Sequence, residues 1–387
     1  MTFPVPAFPS ATLRRRITAV AAVLALAAVP GVARADTAPP SLVLSRWETA
    51  VAGRNINRDG GYSVTVPGSG HGLWFFGDSF WGDSYLLGST AAVGPAVRGM
   101  VPTQLSEIPT PPAAVEVPDA GAPQRFLPVP EGLVAPDGTD CLGRVGSAPA
   151  SWPTGAALIP GTYNVLVTYV DVCLTLPRTM VVQRFGVAEY DPLHNRIVAQ
   201  HTVFDASRLA ELPFPLALGS PVFAADGYLY LFGSTCDDTA NSSGVCLDGR
   251  VTATRVSARP ESWRSAGGYR FWNGAAWTAD WSQVRTVLSG ARPAGLVHVA
   301  DAGALGKGLV MVEQLDLLGG YRIWRSDYFV GGWSPVASGF APCSHGEGQV
   351  DMCRTYAAHP DISTSSHLLM SYFDPGQAHV GVIAVPW

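Results

Sequence analysis

The sequence predicts an all-β fold, a five-bladed β-propeller behind an N-terminal export signal, on three observations. Gly and Pro, 42 and 32 of 387 residues, are too frequent for a helical bundle or coiled coil, which tolerates few breakers. Hydrophobic residues make up 47% of the chain and aromatic residues 10%, enough apolar surface to offset the entropy of ordering, so the breakers mark turns between short strands. A short apolar strand pattern also returns five times along the chain.

Residues 1–35 come first and are read as a leader. Arg14-Arg15-Arg16 precedes the apolar stretch Ile17 to Val29, and Val32-Ala33-Arg34-Ala35 has a small-x-small pattern, so cleavage is expected after Ala35. An apolar run of about 13 residues is shorter than the roughly 20 needed to span a bilayer, which favours a secretory signal over an anchor. Residues 36–387 are then expected as one exported domain with no membrane span. Removing the leader takes four of the 25 basic residues and leaves 21 against 30 acidic ones, a net charge near −9. Nucleic acid and anionic membranes, which need a positive face, are therefore poor candidates for partners, and none is expected.

The five repeats begin at Leu73-Trp-Phe-Phe-Gly-Asp78, Leu166-Val-Thr-Tyr-Val-Asp171, Leu229-Tyr-Leu-Phe-Gly-Ser234, Leu309-Val-Met-Val-Glu-Gln314 and Leu368-Leu-Met-Ser-Tyr-Phe373. Partner strands are expected before four of them, at Tyr62–Val66, Pro221–Ala224, Leu296–Val299 and Tyr356–His359. Further strands follow the last four, at Met180–Gln183, Val251–Arg255, Tyr321–Trp324 and Val380–Ala384. An interval of about 60 to 90 residues suits four-stranded blades with long loops. Pairing of Ser41–Ser45 with the run ending at Trp387 would close the ring and remove exposed edges. A β-sandwich or a two-domain β protein is the alternative. The Pro-rich segment Val101 to Gly138 is expected as a long surface loop or crossover, with no domain boundary.

Six cysteines fall into three neighbouring pairs, Cys141 with Cys173, Cys236 with Cys246, and Cys343 with Cys353. An even count in an exported chain favours disulfides, and sequential pairing lets each pin a surface loop. The spacings lack the close C-x-x-C of a thiolate metal site.

In a propeller the first strand of each blade lines the axis, so residues far apart in sequence meet at one mouth. Candidates there are Asp59, Tyr62, Ser220, His298 and His359, with Asp78, Asp171 and Glu313 at the ends of second strands. The densest cluster is Arg54-Asn-Ile-Asn-Arg-Asp-Gly-Gly-Tyr-Ser63 followed by Phe76-Gly-Asp-Ser-Phe-Trp-Gly-Asp83. Asp59 enters one strand and Asp78 leaves its hairpin neighbour, so antiparallel pairing puts both at the same end. Two carboxyl groups about 5 to 10 Å apart across a sugar are what glycosidic cleavage requires. Asp59 and Asp78 are therefore the candidate catalytic pair, although Asp-Gly and Gly-Asp are also ordinary turn dipeptides.

Arg54, Asn57, Tyr62, Trp81, Glu313 and His359 are the candidate substrate-binding residues, with Trp74, Trp81 and Tyr62 offering aromatic faces. Glu313, among apolar neighbours, must be either paired or functional. His359 either fixes a loop or contacts ligand, and Arg54 and Arg354 either clamp sugar hydroxyls or bridge blades. No H-E-x-x-H, Walker A or G-x-G-x-x-G string occurs, which disfavours zincin, P-loop and dinucleotide chemistry. No metal or other cofactor is expected. An axial calcium is compatible with a propeller but lacks a supporting motif.

Asp59-Gly-Gly-Tyr-Ser63, Leu73-Trp-Phe-Phe-Gly-Asp-Ser79 and the late Ala358-His-Pro-Asp361 before Leu369-Met-Ser-Tyr372 resemble a secreted actinobacterial five-bladed propeller family long catalogued as a domain of unknown function. That family includes endo-D-arabinanases acting on mycobacterial cell-wall arabinan. The resemblance is concentrated in about 30 residues near the mature N-terminus. It implies a secreted glycoside hydrolase with Asp59 and Asp78 as a retaining pair, Asp59 as acid/base, and arabinogalactan or lipoarabinomannan as substrate; separately, a monomer is expected. The loops Cys236–Cys246 and Cys343–Cys353, the latter carrying His345 and Glu347, do not match the family motif. A secreted carbohydrate-binding or cell-surface propeller without turnover is the alternative function.

Overall fold

A computed structural model describes residues 50–51, 54–111, 122–135, 137–175, 179–205, 217–236, 249–344, 353–377 and 379–387. The expected leader, the Ser41–Ser45 strand, Cys246, His345 and Glu347 lie outside the described residues, as do the side chains of Arg54 and Cys236.

The described chain is almost entirely strand. β1 (Ala50–Val51) pairs with β2 (Arg54–Asn55). Next come β3 (Asn57–Arg58), β4 (Tyr62–Val66), β5 (His71–Phe76), β6 (Ser79–Trp81), β7 (Ser84–Leu86), β8 (Thr90–Pro95) and β9 (Ser106–Glu107). Of these, β4-β5-β8-β9 form sheet I, and β3-β6-β7 form a smaller sheet that continues the same hairpin. β4 shows why Tyr-Ser-Val-Thr-Val makes a strand here: Tyr62, Val64 and Val66 are buried while Ser63 and Thr65 are half-buried, the period-two alternation of a covered face. β5 is buried from Gly72 to Phe76 on both faces and accordingly reads as an unbroken apolar run.

Sheet II contains β10 (Ser147–Leu158), β11 (Val165–Thr175), β12 (Thr179–Asp191) and β13 (Arg196–Phe204). Sheet III contains β14 (Ala217–Phe223), β15 (Tyr228–Cys236), β16 (Gly249–Ser257), β17 (Arg270–Trp272) and β18 (Trp277–Thr278). Sheet IV follows with β19 (His298–Asp301), β20 (Leu309–Gln314), β21 (Gly320–Ser326) and β22 (Ser334–Phe340). Sheet V has β23 (Arg354–Ala358), β24 (His367–Asp374) and β25 (His379–Pro386). Sheets II to V are antiparallel meanders in chain order.

The cores lie between sheets. Val64 and Phe75 of sheet I meet Val167 and Tyr190 of sheet II, and Val170 and Phe185 of sheet II meet Leu218 and Leu231 of sheet III. Phe232 and Val251 meet Val299 and Met311, and Val312 and Ile323 meet Tyr356 and Met370. Trp74 and Phe76 of sheet I pack on Leu369 and Val382 of sheet V, so the succession of cores returns to its start. The first strands of sheets I to V follow the same succession, β4 to β10 to β14 to β19 to β23.

The first strand of sheet II, β10, has no counterpart in the sequence reading, because Pro149, Pro153 and Gly155 interrupt its pattern. A register shift between Pro153 and Gly155 absorbs the breakers. At Gly155, with φ +159°, an added Cβ would lie 2.6 Å from the Ser220 nitrogen, so glycine permits the close approach of β14. Of the two readings of the segment Val101 to Gly138, the crossover fits: it leads from sheet I to sheet II, and Ile108, Phe126 and Leu127 belong to the core between them. Residues 112–121 and 136 of it lie outside the described residues.

The Cys141–Cys173 and Cys343–Cys353 disulfides are present, with Cα atoms 6.0 and 6.1 Å apart. Among the described residues, no helix is long and apolar enough to cross a membrane.

Candidate active site

Asp59 lies in the turn between β3 and β4, and Asp78 in the link from β5 to β6. The Asp59 N–H donates to the Asp78 carbonyl at 2.8 Å and the Gly77 N–H to the Asp59 carbonyl at 2.7 Å, which sets the two residues side by side. Gly60, with φ +76°, makes the turn, and a Cβ there would meet Thr355 Cγ2 at 3.2 Å.

The two carboxyl groups have different surroundings. Asp59 Oδ2 accepts from Arg354 Nη2 at 2.7 Å and Nε at 3.2 Å, and Asp59 Oδ1 lies 3.4 Å from Thr355 Oγ1. Arg354, at the start of β23, lays its guanidinium 4.2 Å from the Phe373 ring centroid. Thr355 beside it has φ +58°, an uncommon conformation for a β-branched residue, at the irregular start of β23. Asp78 Oδ1 accepts from the Gly88 N–H at 2.8 Å and from Trp152 Nε1 of β10 at 2.7 Å. Burial pushes the Asp78 carboxyl up to about 6; the Asp59 charge adds to the rise, while the bonds from Gly88 and Trp152 and the Arg354 charge restrain it.

One partner is thus a carboxylate salt-bridged to arginine and the other an acid that keeps its proton into the mildly acidic range. Paired carboxyl groups with divergent environments are what general acid catalysis beside a nucleophile or base uses.

Tyr62, the first residue of β4, is buried with its ring 5.3 Å from that of His298, and burial together with the Asp59 charge raises its hydroxyl above the usual value. Asn57 and Trp81 belong to β3 and β6 of the small sheet, within three residues of Asp59 and Asp78, and Trp81 packs on Ile56 and Ala122. Arg54 is on β2.

Glu313 and His359, expected among the substrate-binding residues, are instead fully buried and engaged inside the protein. Glu313 accepts from the Arg292 N–H and from Trp324 Nε1, each at 2.6 Å, and so ties β20 to β21. His359 shares hydrogen bonds with Ser63 Oγ through Nδ1 and Ser371 Oγ through Nε2, both at 2.8 Å, and its ring lies 4.8 Å from Trp74. Burial holds that imidazole well below its ordinary value, so it is neutral and fastens sheet V to sheet I. His298 is similarly buried, its Nδ1 accepting from the Ala358 N–H at 3.1 Å.

Trp152 and Thr355 were not among the sequence candidates. Trp152 sits on the unrecognised β10, and the signal for it is an indole on a strand broken by two prolines. Among the described residues, no group of three or more His, Cys, Asp or Glu side chains is placed to hold a metal ion.

No family model matches the chain, and no curated protein matches it in sequence. Among solved structures, it is similar to the catalytic domain of a family 62 α-L-arabinofuranosidase of Coprinopsis cinerea, with 9% identity over 90% of this chain and 98% of that one at a TM-score of 0.47. A family 117 glycoside hydrolase of Zobellia galactanivorans gives 9% identity over 90% and 91% of the chains at 0.46. A family 43 enzyme of Xanthomonas citri complexed with xylose gives 12% over 89% and 90% at 0.45. Likeness at this level says nothing of chemistry, which the residues must carry.

Proposed function

We propose that the protein is an exported five-bladed β-propeller glycoside hydrolase that cleaves a furanoside polysaccharide with Asp78 as acid and Asp59 as nucleophile. The observation that carries this reading is the pair of aspartates set side by side by backbone hydrogen bonds, Asp59 salt-bridged to Arg354 and Asp78 with its carboxyl pushed up to about 6 by burial. The five inter-sheet cores support five blades, and the two disulfides support an oxidising compartment.

In the proposed reaction Asp78 protonates the leaving glycosidic oxygen while the Asp59 carboxylate attacks the anomeric carbon. Asp78, then ionised, draws a proton from water as that water releases the sugar from Asp59, which restores both groups. Arg354 holds Asp59 in position, and Gly88 and Trp152 fix Oδ1 of Asp78 and leave Oδ2 to carry the proton. D-arabinan of the mycobacterial type is the substrate we favour, on the resemblance of Asp59–Ser63 and Leu73–Ser79.

Digestion of purified arabinogalactan and lipoarabinomannan tests the reading. Wild type is expected to release oligosaccharides with retained anomeric configuration, and Asp59→Asn and Asp78→Asn to release none. Binding without release by wild type would overturn the hydrolase reading in favour of a carbohydrate-binding protein.

A further inference from the structure

Tyr62 opens β4 and His298 opens β19, and their rings lie 5.3 Å apart. Sheets I and IV share none of the five inter-sheet cores, so this contact runs across the centre of the ring of first strands. That centre lies beside the two aspartates. Tyr62 opposes Phe75 in the β4–β5 register, with Asp59 three residues before the one and Asp78 three residues after the other, so both leave the hairpin at the end where Tyr62 sits. Three extended residues span about 10 Å. β23 makes a second link, because Arg354 at its start holds Asp59 and Ala358 at its end donates to His298. The Asp59 charge is felt at the Tyr62 hydroxyl, which it helps to raise.

Both side chains are more than nine-tenths buried, Tyr62 at 4% exposure and His298 at 8%. Buried polar groups nearly always have partners. His298 Nδ1 accepts from the Ala358 N–H at 3.1 Å, and burial pushes the imidazole down to about 4, so the ring is neutral and carries its one proton on Nε2. Among the described residues that Nε2–H has no acceptor, and the Tyr62 hydroxyl has no hydrogen bond. Neither group is charged, and the Asp59 charge is matched by Arg354, so an ion here would lack the counter-charge that its burial requires. A hydroxyl, acceptor and donor at once, matches an N–H beside a phenol.

We propose that the Tyr62 hydroxyl and the His298 Nε2–H bind hydroxyl groups of the sugar ring held at Asp59 and Asp78, which makes these two side chains specificity-determining residues of that site. The inference deepens the hydrolase reading and rests on it for the identity of the ligand.

Substitutions in the Asp78→Asn protein, which spares the ligand, test it. Tyr62→Phe removes one hydroxyl and no internal hydrogen bond, and His298→Asn keeps an acceptor near the Nδ1 position while losing the distal N–H. In calorimetric titration with a D-arabinofuranosyl hexasaccharide each should bind about tenfold more weakly than the parent, and Tyr62→Phe should melt close to it. His298→Gln, which reaches the Nε2 position but offers Ala358 no acceptor, should do the converse, melting lower while binding more nearly as the parent does. Dissociation constants within about twofold of the parent's for either Tyr62→Phe or His298→Asn would overturn the inference, as would a parent that does not bind the hexasaccharide. Release of oligosaccharides from arabinogalactan by wild type is measured separately. Release alongside unaffected binding would leave the hydrolase reading standing, and binding that weakens in both variants without any release by wild type would sink that reading alone.

Discussion

Asp78 and Asp59 share a backbone ladder yet differ in what their carboxyl groups touch. Because Asp78 must be protonated to act as an acid and burial sets it near 6, kcat/KM should fall about tenfold per pH unit above that value. A flat pH–rate profile between pH 5 and 8 would remove Asp78 from that role. Trp152→Phe tests the same residue with a definite sign. The indole N–H stabilises the ionised form, so its loss should move the descending limb to higher pH, at reduced kcat, whereas an unmoved limb would make Trp152 merely structural. Asp171, also pushed up to about 6 by burial, gives a stability signature. Between the ordinary carboxylate range and about 6 the folded state binds this proton more tightly than the unfolded chain, so stability is lost as pH rises through that window. Wild type should therefore lose more melting temperature between pH 4 and 7 than Asp171→Asn does.

At the scale of strands and turns, hairpin logic was the most legible part of the sequence. The strings around Asp59 and Asp78 read as two strands meeting at one end, and the ladder bonds at 2.8 and 2.7 Å have that form. β10 was illegible because its prolines and Gly155 are tolerated only through a register shift that depends on the neighbouring β14. Glu313 and His359 were misplaced for another reason: sequence shows a polar residue near the inner strands but not which partners surround it. Arg292 and Trp324 lie 21 and 11 residues from Glu313, and Ser63 lies 296 residues from His359. The turn at Gly60 makes a testable element. Gly60→Ala must hold a side chain at φ +76° against Thr355, which should cost about 1 to 3 kcal/mol, read as a lowered Tm.

For the whole molecule, the five successive cores make the contact between sheets V and I the one that joins chain segments far apart in sequence. His359, Ser371 and Asp361 meet Gly61, Ser63 and Thr65 there. Truncating His359 to Ala leaves two hydroxyls without their imidazole and a space beside Trp74, a loss of about 2 to 4 kcal/mol. Denaturant unfolding measures that loss, and a change below about 0.5 kcal/mol would show that the closure does not depend on this histidine.

Thr355 gives the closure a second meaning. Its left-handed backbone sits between Arg354, which grips Asp59, and the rest of β23, so part of the folding free energy is held as local strain next to the proposed catalytic pair. Natural selection for stability alone would favour glycine at that position. Thr355→Gly should then yield a protein that melts higher and works more slowly, a trade of durability for turnover located at a single residue.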